Sequence, residues 1–83
     1  MKQHVNLHQT KDPDGWCASI ATVRKVGDKE ISMGESIVYQ NKETAWNSIK
    51  KEAQNLDYEN DKILFNHKTV GSYDELEKLV DAL

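Results

Sequence analysis

A single cysteine, Cys17, stands among 83 residues, so no intramolecular disulfide supports the fold, and either the core carries it or a partner helps. One proline, Pro13, and four glycines punctuate the chain. The glycines (Gly15, Gly27, Gly34 and Gly71) are dispersed, and neither G-x-G-x-x-G nor G-x-x-x-x-G-K occurs, so no nucleotide cofactor is expected. No uninterrupted apolar run exceeds three residues, far short of the ~20 that a membrane-spanning helix needs. The opening MKQHVNLHQT has no apolar stretch behind its lysine, so no signal peptide is expected. With the lone thiol, these absences lead to the expectation of one small cytoplasmic domain.

What is present is periodic. His4 to His8 alternates, with Val5 and Leu7 on one side, as a half-buried strand does. Lys11-Asp12-Pro13-Asp14-Gly15 forms a turn, and a second strand runs from about Trp16 to Val26, its inward face left open by the pattern. Gly27-Asp28-Lys29-Glu30 reads as a hairpin turn into a third strand, Ile31 to Gln40, in which Gly34 marks a bulge or bend. Asn41 caps a helix to Leu56 whose stripe is Ala45, Trp46, Ile49, Ala53 and Leu56. Lys62 to Val70 reads as a fourth strand. Ser72 and Glu75 match a capping box, opening a last helix with the stripe Leu76, Leu79, Val80 and Leu83. The expected fold is α+β in the order β-β-β-α-β-α: a four-stranded, mainly antiparallel sheet with two helices on one face.

The chemistry-bearing residues are few. Cys17 with His4, His8 or His67 is the only material for nucleophilic catalysis, and a thiol inside a strand has nothing local to activate it. No catalytic residue is expected. His4 and His8 lie about 13 Å apart along a strand at ~3.3 Å per residue, too far to share a metal. His67 could approach one of them across the sheet, but two histidines make a poor zinc site. Asp57, Glu59 and Asp61 alternate like a calcium loop without its glycine or final glutamate. No metal is expected.

Charge is unevenly spread. Residues 57–83 hold seven Asp/Glu against three Lys, whereas residues 1–56 hold seven against eight Lys/Arg. An acidic surface of Asp57, Glu59, Asp61, Glu77 and Asp81 would steer the chain toward a basic protein partner. The alternative is a nucleic-acid module using Trp16 with the hairpin cations Arg24, Lys25 and Lys29, against which acidic neighbours are interleaved. An exposed edge strand also leaves room for a homodimer.

His4-Val5, Asp14-Gly15-Trp16, Thr44-Ala45 with Ile49 and Ala53, and Ile63-Leu64 with His67 together resemble a family of short bacterial and phage domains of unassigned chemistry. The resemblance implies a small antiparallel sheet packed on one helix, and some phage inhibitors of bacterial defence systems are similar in layout. The chain departs from the family in a longer hairpin, Arg24 to Ser36, and in a capped helix after His67. The resulting expectation is a non-enzymatic interaction protein, with a phage-encoded inhibitor docking on a host protein as the form the resemblance implies.

Overall fold

In the computed structural model, which describes residues 1–83, the alternating amino-terminal segment forms β1 (Lys2–Lys11) and folds back on β2 (Asp14–Val26). The turn expected at Pro13 closes this hairpin: Lys11 faces Asp14, and Thr10 Oγ1 donates to the Pro13 carbonyl at 2.8 Å. Val5 pairs with Ile20 and Leu7 with Ala18. This register fixes the inward side of β2 as Trp16, Ala18 and Ile20, and places Cys17, Ser19 and Ala21 on the other side.

The expected third strand is two strands. β3 (Lys29–Met33) and β4 (Ile37–Tyr39) lie end to end along the free edge of β2. Thr22 pairs with Met33 and Ala18 with Ile37, so Gly34 to Ser36 oppose Ser19 to Ala21 with no residue inserted. The interruption is a gap in pairing, not a bulge. Crowding demands glycine there: a Cβ on Gly34 would stand 2.7 Å from the Ile20 carbonyl oxygen and 2.8 Å from Ala21 Cα.

α1 (Lys42–Gln54) begins where its cap predicts, with Asn41 Oδ1 accepting from the Thr44 amide at 2.8 Å. It buries Ala45, Trp46, Ile49 and Ala53 and carries the chain across to β5 (Lys62–Phe65), which pairs parallel to β1. The expected strand from Lys62 to Val70 does not persist. It folds at Asn66-His67 into a hairpin with β6 (Lys68–Val70). Both turn residues have positive φ, 47° and 72°, the signature of the type I′ turn that matches strand twist. Asparagine tolerates this conformation, and here its side chain does more. Asn66 Nδ2 donates to the Leu7 carbonyl at 2.8 Å, its Oδ1 accepts from the Leu7 amide at 2.9 Å, and its own amide donates to the Val5 carbonyl at 2.9 Å. The side-chain amide thus replaces a strand residue beside β1.

α2 (Tyr73–Asp81) starts at Ser72, whose Oγ accepts from the Glu75 amide at 3.2 Å, while Glu75 Oε2 accepts from the Gly71 amide at 2.9 Å. The carboxylate therefore reaches one residue beyond the cap. α2 lies beside α1, with the Tyr73 and Trp46 rings stacked at 6.4 Å and Lys42 Nζ donating to the Leu83 carbonyl at 3.0 Å.

The sheet is mixed and six-stranded, in the order β3-β2-β1-β5-β6 with β4 also on β2, rather than four-stranded and mainly antiparallel. Both helices pack on one face, over a core that includes Val5, Leu7, Ile63 and Phe65 from the strands and Trp46, Ile49, Leu76 and Val80 from the helices. Leu79, expected to be buried, is only partly so; Leu76 and Val80 fill the core instead. Leu76→Ala should cost roughly 2–5 kcal/mol, as large-to-small core changes do, and Leu79→Ala distinctly less. Asn66→Gly keeps the turn conformation but strips Leu7 of both partners, at roughly 1–3 kcal/mol for each orphaned group. Urea titration of the three variants checks both statements, and an unchanged midpoint for Asn66→Gly contradicts the role given to its amide.

Candidate functional site on the bare sheet face

Because side chains alternate, the residues of β1 that do not enter the core emerge on the side without helices: Lys2, His4, Asn6 and His8. Cross-strand register sets Ala21 against His4, Ser19 against Asn6, and Cys17 against His8. β3 adds Glu30 and Ser32, which face Lys25 and Val23. The central side chains are small, so the face is concave. A groove of about 420 Å³ is lined by His4, Asn6, Ala21, Val23, Glu30, Ser32 and His67.

His67 stands in the I′ turn at the end of β5, the strand beside β1, where the chain turns away to β6. Its ring meets His4 edge-to-face, with centroids 5.9 Å apart and planes at 68°. Lys2 Nζ sits 3.8 Å from Glu30 Oε2 across the strands, and Asn6 Nδ2 donates to Ser19 Oγ at 3.3 Å. Burial holds the His4 pKa below its ordinary 6.5, helped by the charges of Lys2 and His67 and opposed by Glu30. The groove is thus polar, with Glu30 its one carboxylate and the cations Lys2 and Lys25 at its margin, one 3.8 Å from that carboxylate and the other opposite it across the strands.

The two histidines that could meet across the sheet do meet, yet no group of three or more His, Cys, Asp or Glu side chains converges on a metal-sized site. His8 stands opposite Cys17, but the thiol is buried and its near neighbour is Ser36 Oγ at 3.0 Å. His8 Nδ1 lies instead 3.5 Å from the Gln9 carbonyl.

The acidic residues singled out from the sequence are mostly occupied. Asp57 accepts from the amides of Glu59 and Asn60 and from Asn60 Nδ2, at 3.2, 3.0 and 2.9 Å; these bonds, that of the Asn60 side chain foremost, pull its carboxyl below the usual 3.8. Asp61 pairs with the amino-terminal ammonium at 3.4 Å, and Glu77 accepts from the Tyr73 hydroxyl at 3.1 Å. Glu59 and Asp81 are exposed. The basic set is dispersed. Trp16 packs against the core opposite Tyr39, about 26 Å along β2 from Arg24 at ~3.3 Å per residue. Arg24 and Lys25 alternate onto opposite faces, opposite Ile31 and Glu30, and Lys29 pairs with Val26.

The polar row of His4, Asn6 and His8 was visible in the alternation. What no pattern showed was the turn that holds His67, since Asn-His lacks the glycine that usually announces one. No family model, no curated protein and no solved structure matches the chain.

The His4 shift fixes a pH dependence. Its pKa is lower in the folded protein, so below about pH 6.5 the unfolded chain takes up the proton first. Stability present above that pH is lost as pH falls toward the folded value. His4→Gln should therefore narrow the difference in melting temperature between pH 5 and pH 8. An unchanged difference would mean that His4 is not desolvated as described.

Proposed function

We propose that this protein is a non-enzymatic interaction module whose bare sheet face receives an extended segment of a partner protein. The observation that carries the reading is the one-sidedness of the sheet. Helices cover one face, while the other holds an open groove between β1, β2 and β3 with its hydrogen-bonding groups in rows. A polar surface of this shape suits a peptide backbone and uncharged side chains. A phosphodiester backbone needs several uncompensated cations converging on it; on this face Lys2 lies 3.8 Å from Glu30, which Lys25 also faces, and Arg24 stands on the other face.

The acidic end contributes at a distance. With a net charge of −3 and Glu59 and Asp81 exposed, it accelerates encounter with a basic partner without forming the contact itself. Inhibition of a host protein, as the resemblance implies, is one form that such docking takes when the captured segment belongs to the partner's own site.

Ala21 lies at the centre of the groove, so Ala21→Arg fills it, whereas Glu77→Lys with Asp81→Lys leaves it open. Proteins retained from lysate by the wild type should be lost with Ala21→Arg, provided circular dichroism shows the fold intact. The double charge reversal should retain them but slow their association. Retention by Ala21→Arg with loss in the double variant would make the acidic surface the dock. Retention of duplex DNA, abolished by Arg24→Glu, would favour the nucleic-acid alternative.

A further inference from the structure

The outer edge of β3 is covered by nothing. Every residue of the strand is exposed, and its helix side shows Ile31 and Met33 at 47% and 63% exposure, continued by Ile37 at 47%. Proteins usually blunt such an edge with proline, a bulge, covering chain or charged side chains; β3 has only the last, Lys29 and Glu30, and these are of opposite sign. Its polar groups also have a defined direction. The loop from Val26 to Lys29 has two central residues, with Gly27 at φ 64° in the first position, as a type II′ turn requires. Val26 and Lys29 then close the hairpin as a hydrogen-bonded pair. Alternation along the ladder leaves the amides and carbonyls of Glu30 and Ser32 pointing away from β2.

The sequence along this edge is complementary to itself when reversed. We propose that two copies of the chain pair through antiparallel β3 strands about a two-fold axis at Ser32. In that register Lys29 of one copy faces Glu35 of the other, Ile31 faces Met33, and each contact occurs twice, as an isologous interface demands. Glu30 falls opposite Gly34, where no side chain obstructs it. Other registers that keep the helices of both copies on the same side are poorer. An axis at Ile31 sets Lys29 against Met33, an axis at Glu30 sets two glutamates together, and an axis at Met33 sets Ile31 against Glu35. Cross-strand pairs of these kinds decide register.

The pairing does not depend on what the groove binds. It has a consequence for it nonetheless, because Glu30 and Ser32 line the groove. Joining two β3 edges makes the two bare faces into one continuous concave surface with a histidine pair toward each end. A contact confined to edge strands is small, at the low end of specific interfaces below ~1,200 Å², so association is reversible and depends on concentration.

Sedimentation equilibrium over a concentration series reaching the millimolar range, on the full chain, reads the result. The wild type should pass from monomer to dimer. Ser32→Pro removes an amide that points outward, leaves pairing with β2 intact, and should be monomeric throughout with an unchanged melting temperature at low concentration. Glu35→Lys should weaken the dimer about tenfold, from two lost cross-strand pairs, and Lys29→Glu combined with Glu35→Lys should restore it. A wild type that stays monomeric, a dimer indifferent to Ser32→Pro, or a double reversal that fails to recover affinity each overturns the proposal.

Discussion

The amide of Asn66 holds this molecule together at its least forgiving point. β1 sits between β2 and β5. On the β2 side it is secured by a long hairpin, but on the β5 side by a short parallel ladder from Lys2–Lys62 to Val5–Phe65. Parallel pairing gains little per residue and must be reached through a helical crossover. Asn66 lengthens that ladder with a side chain, bonding both polar groups of Leu7, which is itself fully buried. The same residue turns the chain, so one side chain fixes the strand register and delivers β6, and α2 after it, to the correct place.

From that anchoring comes the asymmetry of the sheet, on which the proposed function rests. A chain of this size has apolar residues for one core, and the alternation of β1 directs Val5 and Leu7 into it and His4 and Asn6 away from it. Two helices, in contact through the Trp46–Tyr73 stack, complete the apolar side. Nothing remains to cover the other. Small residues at Ser19, Ala21 and Ser32 then determine that this uncovered side is hollow, and the turn that fixes Asn66 also sets His67 against His4. The site and the fold share a cause.

Local chemistry makes much of this legible in the sequence. Asn41 and Ser72 cap the helices as their residue types dictate, and the stripes containing Ala45, Trp46, Ile49 and Ala53, and Leu76 and Val80, face the core. The failures were non-local. Leu64-Phe65-Asn66-His67-Lys68 reads as an unbroken strand because the force that bends it is a bond to Leu7, distant in sequence. Ile31 to Gln40 reads as one strand because the gap at Gly34 is set by closeness to Ile20 and Ala21 on β2. Among the charges, composition showed an excess of carboxylates but not their engagements: Asp57 with Asn60, Asp61 with the amino terminus, Glu77 with Tyr73. Residue type alone groups Trp16 with Arg24, and the length of β2 separates them.

The dependence on Asn66 is open to one direct measurement, residue-resolved hydrogen exchange by NMR in the native state. The Leu7 amide has a side-chain oxygen as its acceptor, an arrangement that ordinarily exchanges quickly unless the side chain is locked in place. If Asn66 is the clamp described, the Leu7 amide exchanges only with global unfolding, at the rate of the core amides of β1 and β5. Exchange of Leu7 ahead of those neighbours, by opening of the Asn66 turn alone, would contradict it.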